Sequence, residues 1–151
     1  MQRKLRAIEQ SLLVVVAGFL ISYLGYILVP ARSPYRLYPY PFELHGVWMF
    51  DVLRRGIWVL EAARCDAFPS GHSDVTWLVA ALAWRHDRRS FYWFFGPIAV
   101  LLPIGTVYLR YHYGVDVLAG AFFAIVTWRM CMALGAPREA GVTRARLTSL
   151  A

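Results

Sequence analysis

Two short segments hold the residue types that could do chemistry together. The first, Phe68-Pro69-Ser70-Gly71-His72-Ser73, stands immediately before an apolar block. Pro69 ends the preceding structure, and Ser70 or Ser73 can cap a helix that starts here. The backbone N–H groups of such a start, with Gly71 allowing close approach, make an anion site over which His72 would hang. The competing reading is a capped helix whose histidine is an ordinary interfacial residue. The second segment, Tyr108-Leu109-Arg110-Tyr111-His112-Tyr113-Gly114-Val115-Asp116, joins two later apolar blocks. If a helix begins near Tyr113, Asp116 stands about one turn from His112 and can hold one imidazole nitrogen while the other faces a substrate. That is how a nucleophilic or basic histidine is prepared. Here the competing reading is that Asp116 caps its own helix and His112 packs with the tyrosines.

The elements that position these segments are membrane elements. The 151 residues suffice for one domain, 1–151, and are 59% hydrophobic and only 17% charged, with a mean hydropathy of +0.47. Composition of that kind puts apolar residues in blocks and rules out reading the chain as a soluble disordered tail. Ile8 to Val29 is long enough to span a hydrocarbon core of about 30 Å. It follows basic residues, as a signal peptide would, but exceeds an h-region and has no A-x-A site, so an uncleaved anchor is expected. Pro30 to Pro41 carries four prolines and reads as a loop. Leu44 to Ala63 mixes charges with apolar residues and reads as an amphipathic interfacial helix. Val75 to Trp84 is a short span, Phe91 to Leu109 a span broken by Gly96-Pro97 and Pro103, and Val115 to Leu134 a span with small residues Ala119, Gly120, Ala121 and Ala124 for close helix approach. The expected fold is therefore all-α, a polytopic membrane helix bundle of about four spanning helices plus one interfacial helix.

Charge placement gives the orientation. Arg3, Lys4, Arg6, Arg85, Arg88, Arg89, Arg129, Arg138, Arg144 and Arg146 fall on one side with only Glu9, Asp87 and Glu139, so the whole net charge of +7 is there. The positive-inside rule makes that side cytoplasmic. The basic balance is thereby explained by topology, and no patch remains to suggest a nucleic-acid partner. Both chemical segments fall on the outer face. Cys65 and Cys131 fall on opposite faces, which excludes a disulfide between them. His45 and His86 read as ordinary interfacial residues, and an acid near His72, such as Asp74, could keep that histidine protonated.

At these residues the chain resembles a known family. Phe68-Pro69-Ser70-Gly71-His72 resembles the P-S-G-H motif of the type 2 phosphatidic acid phosphatase superfamily. His112-Tyr113-Gly114-Val115-Asp116-Val117-Leu118-Ala119-Gly120 resembles its H-x-x-x-D motif. The run Thr106 to Tyr113 looks most like the inositolphosphotransferase branch that includes inositol phosphorylceramide synthases. The resemblance implies phosphoryl transfer without metal or other cofactor on a lipid-linked phosphate, at the outer face of the cytoplasmic membrane. It makes His112 the nucleophile, Asp116 its orienting partner and His72 the acid for the leaving oxygen. Charge on the phosphoryl oxygens would be met by Ser70 and Gly71 N–H groups and by arginines.

Two positions depart from the family pattern. Phosphatases of the family carry an arginine six residues before the nucleophile, where this chain has Thr106; Arg110, one helical turn further on, is the expected substitute if the helix continues that far. The lysine-arginine-proline motif is absent, leaving Arg32 and Arg36 beside Pro34 as candidates for phosphate contact. The family usually has six spans, so two helices are expected to be lacking before Met1 in a short form or fragment. A catalytically inactive or structural membrane subunit is the alternative, and a haem or metal protein using His72, His112 and Asp116 is a further one.

Overall fold

No water is present in a hydrocarbon layer to satisfy backbone polar groups, so each apolar block must close its hydrogen bonds internally, and the helix does this. The computed structural model describes residues 2–41, 44, 46, 49–60 and 67–134. Among these every regular element is helical. In order they are α1 (Gln2–Leu28), α2 (Pro34–Leu37), α3 (Phe50–Leu60), α4 (Gly71–His86), α5 (Arg88–Ser90), α6 (Gly96–Tyr108) and α7 (Gly114–Leu134), with a π-helical stretch Phe91–Phe95 joining α5 to α6. The expected all-α membrane bundle is what forms. His45, Cys65 and the polar tail from Gly135 lie outside the described residues.

Three helical stretches are long and apolar enough to cross a bilayer: Leu5–Leu28, Arg88–Tyr108 and Gly114–Leu134. The chain is thus an integral membrane protein. The expected fourth span corresponds to α4, whose 16 residues reach only about 24 Å. It is shielded by its neighbours, because α1, α6 and α7 all pack against it. The amphipathic segment contains α3, 11 residues with Asp51 in its first turn, too short to span. The break expected at Gly96-Pro97 is absorbed by the π-helical stretch, where the Gly96 N–H reaches back to the Phe91 carbonyl. Pro97 cannot donate, so the turn before it is where the ladder must adjust.

The bundle is inside out relative to a soluble protein. Large apolar side chains such as Leu20, Ile27, Leu101, Leu118 and Phe122 are exposed, while Ser22, Ser70, Ser73, Asp74, His112, Asp116 and Thr127 are buried. In lipid, apolar contact between helices brings no hydrophobic gain, so association rests on close packing and polar links. Both are present. Gly120 lets α7 approach the start of α4 so closely that a Cβ there would stand 3.1 Å from Ser73 Cβ and 3.2 Å from Asp74 N. Gly18 and Gly25 do the same for α1, against Leu78 and Pro69. These contacts place the C-terminal end of α1 beside the starts of α4 and α7, with the apolar core Val14, Leu78, Leu82, Ala124 and Cys131 further along.

Candidate active site

The end of the bundle where α4 and α7 begin collects both chemical segments. Ser70 caps α4, its hydroxyl accepting from Ser73 N at 3.3 Å and pairing with Ser73 Oγ at 3.0 Å. Its own N–H donates to the Asp116 carbonyl at 3.0 Å. That single bond bolts the first turn of α4 to the first turn of α7. His72, two residues after Ser70, and His112, four before Asp116, are thereby set opposite each other. His72 Nδ1 lies 3.3 Å from His112 Nε2, with the rings edge to face at a centroid distance of 5.6 Å.

The tautomers follow from the partners. His112 Nδ1 lies 2.8 Å from the Ala67 carbonyl oxygen, which can only accept, so Nδ1 carries the hydrogen and Nε2 carries the lone pair. The contact to His72 is then a bond donated by His72 Nδ1–H. Ala67 is fully buried and itself held, its N–H donating to the Ala31 carbonyl at 3.1 Å. His112 is 3% exposed, whereas His72 is exposed. One ring is clamped through Nδ1 with Nε2 turned toward the other, and the other ring is exposed.

The orienting bond expected from Asp116 goes to Ala67 instead. Asp116 Oδ2 stands 3.9 Å from His112 Nδ1, beyond a hydrogen bond, and accepts from Tyr113 N at 2.7 Å. The carboxylate therefore caps its own helix, as one reading of the sequence had it, while lying near enough to His112 to favour a positive ring. Ser70 and Gly71 also depart from expectation. The Ser70 N–H, expected to face phosphate, is committed to Asp116, and the Gly71 N–H donates to the Tyr26 hydroxyl at 3.2 Å.

A family comparison fits this geometry, since the family model described as the PAP2 superfamily matches residues 2–130. The chain belongs to the PAP2 superfamily. No curated protein and no solved structure matches it.

In this PAP2 superfamily member the arginines are arranged differently from expectation. Helix α6 ends at Tyr108 and does not continue to Arg110. The Thr106 carbonyl accepts from Tyr111 N at 2.9 Å and His112 N at 3.3 Å, turning the chain. Arg110 lies in that turn with φ of 65°, a left-handed conformation that costs a non-glycine residue about 1 kcal/mol. Its guanidinium stacks on the Tyr40 ring at 3.8 Å, and its carbonyl accepts from Tyr35 N at 3.1 Å. The proline-rich loop is thus folded onto the His112 turn, with Tyr35 against Tyr111. Arg36 lies against Tyr35, Nε to the hydroxyl at 2.7 Å, and Arg32 is exposed on the approach to α2. Burial pushes the Tyr113 phenol above its usual range, with Tyr38, Tyr40 and Asp116 adding to the shift. Among the described residues no group of three or more His, Cys, Asp and Glu side chains is placed to hold a metal ion.

Sequence reasoning missed Ala67 and Tyr26. A backbone acceptor leaves no signal in residue type. Tyr26 does leave one, a hydroxyl at the end of an apolar helix, where a polar tip prefers the interface.

Proposed function

We propose that the protein is a lipid phosphate phosphatase or phosphotransferase acting through a phosphohistidine on His112. The observation that carries this reading is the clamped His112 ring, with Nδ1–H on Ala67 and the Nε2 lone pair facing His72 at 3.3 Å. His112 Nε2 attacks phosphorus, forming the P–N bond as the P–O bond to the lipid alcohol breaks. The departing oxygen takes its proton from His72, which enters the step as an imidazolium and is left as the neutral imidazole. Asp116 stabilises the positive ring that forms, from 3.9 Å. A second acceptor, either water or a lipid alcohol, gives a proton to His72, attacks phosphorus and breaks the P–N bond. Arg110, Arg36 and Arg32, on the loops around the His112 turn, are the candidates to neutralise phosphoryl oxygens. In this reading Ser70 sets the register of the two motifs, Gly71 gives room at the start of α4, and the site faces outward because the basic residues mark the opposite face as cytoplasmic.

The test is product analysis from the detergent-purified full chain, given a labelled lipid phosphate with and without a lipid alcohol, beside His112→Ala. Free phosphate from wild type alone assigns a phosphatase. Label on the alcohol assigns a phosphotransferase. Product formed equally by His112→Ala overturns the proposal.

A further inference from the structure

A cavity of about 390 Å³ lies between α1 and α4 beside His72. Phe19, Tyr23 and Tyr26 of α1 and Val75 and Thr76 of α4 form much of its wall. Resting on the proposed function, we infer that this cavity takes the alcohol portion of the lipid phosphate, and that Tyr26 determines which alcohols are accepted.

Three observations lead there. First, His72 belongs both to this cavity and to the pair with His112. In an in-line displacement the alcohol leaves on the side away from the attacking nitrogen, and it must stay within reach of the acid that protonates it. As His112 Nε2 bonds to phosphorus, the P–O electron pair passes to the alcohol oxygen, which takes the His72 proton; an acceptor alcohol would enter by the reverse of this step. The cavity is the space that His72 borders. Second, its lining suits an alcohol better than a phosphate. Aromatic and aliphatic faces supply most of the wall, with Ser22, Tyr23, Tyr26 and Thr76 as its hydroxyl-bearing residues, the usual composition of a small-molecule site. Its volume fits a head-group-sized alcohol whose chains run out into lipid, and Phe19 and Tyr23 are exposed on the outer face of α1.

Third, Tyr26 closes the cavity to anions. Its hydroxyl occupies the Gly71 N–H at 3.2 Å, the donor that would otherwise attract a phosphoryl oxygen to this side. The seat is tight, because a Cβ on Gly71 would run into that hydroxyl and meet Ser22 Cβ at 3.4 Å. Phosphate is thereby left to the His112 side and the cavity to the uncharged part of the substrate. Tyr26 is thus a specificity residue, and the phosphoryl step itself belongs to the histidines.

The experiment uses the detergent-purified full chain and two variants, Thr76→Trp to fill the cavity and Tyr26→Phe to remove one oxygen. The probes are dioctanoyl phosphatidic acid, whose leaving group is a diacylglycerol, p-nitrophenyl phosphate, and orthovanadate as an inhibitor with no alcohol. Thr76→Trp should raise KM for phosphatidic acid by about tenfold or more while the orthovanadate inhibition constant moves by less than about twofold. Tyr26→Phe should change the ratio of kcat/KM between phosphatidic acid and p-nitrophenyl phosphate by about fivefold, and it decides the matter alone if the tryptophan variant does not fold. The inference is overturned if orthovanadate inhibition weakens in step with KM, or if Tyr26→Phe leaves the substrate ratio unchanged. Wild type without His112-dependent turnover of either substrate would instead remove the proposed function, and this inference with it.

Discussion

The two ends of the bundle use the same helices in opposite ways. At the end where α4 and α7 begin, the helices meet over glycine and bury Ser22, Ser70, Ser73, Asp74, His112 and Asp116. A buried polar group is costly unless bonded, and the bonds made here cross between elements: Ser22 Oγ to Asp74 Oδ2 at 2.8 Å, Ser70 N to the Asp116 carbonyl, and His112 Nδ1 to the Ala67 carbonyl. At the other end the core is apolar apart from the buried Thr127, and the charges sit outside it. Arg88 lies over the Trp84 ring at 3.4 Å, Trp84 packs on Phe91 and Tyr92, and Asp87 caps the short helix that follows. The site end is registered by directional bonds and close backbone contact, and the basic end by packing that tolerates change. A displacement of a few tenths of an ångström should therefore disable one end and pass unnoticed at the other.

Matched substitutions can break that contrast. Gly120→Ala places a methyl against Ser70 and Ser73 and should cost about 1–3 kcal/mol together with activity, because it forces apart the bolt that aligns the histidines. Gly105→Ala lies near the same end, beside Thr106, but its Cβ meets nothing within 4 Å, so it should be neutral or stabilising by a fraction of a kcal/mol. Thermal melting and turnover of the two variants side by side decide this, and equal effects would sink the register argument.

Asp116→Asn sharpens the account of His112. The amide oxygen can still accept from Tyr113 N, so the cap and the melting temperature should be kept. Loss of the charge should lower turnover by about 10–100-fold. A drop in melting temperature that accounts for the lost turnover would return Asp116 to a purely structural role.

Smaller effects belong to the basic end. Arg88→Ala should cost about 0.5–1 kcal/mol through the lost contact with Trp84 and leave turnover intact. Smallest is the effect of Asp87. Hydrogen bonds from the Ser90 hydroxyl and backbone hold its carboxyl below its usual value of 3.8. A group depressed in the folded state stabilises above its unfolded pKa and loses that contribution as pH falls through its folded pKa. The melting gap between wild type and Asp87→Asn should thus be present at pH 6 and close as pH falls below about 4; a gap that widens in acid contradicts the assignment.

Much of this arrangement is legible from residue types. Apolar blocks set the spans, and the two motifs put both histidines at the starts of helices that share a face. What was hidden lies in backbone geometry. The acceptor on His112 is a carbonyl at Ala67, and a carbonyl is present at every residue. The end of α6 depends on the Thr106 carbonyl taking two N–H groups at once, which removes Arg110 from the helix that a spacing argument would place it on. The N–H of Ser70 looked free for phosphate because a helix start leaves its donors unpaired; only the packing of α7 against α4 uses it. Helix α4 reads as a span by its apolar run, but its length is set by the Ser70 and Asp87 caps at its two ends.

The central claim is that His112 Nε2 becomes covalently phosphorylated. The most direct measurement is rapid quenching of the purified protein with phosphorus-labelled lipid phosphate, followed by peptide mapping of the trapped label. The account predicts an acid-labile, alkali-stable phosphoryl group on the peptide containing His112, absent from His112→Ala and, where a lipid alcohol is the acceptor, longer-lived when that alcohol is withheld. Label on another residue, or full turnover with no trapped label in wild type and in His112→Ala alike, would contradict it.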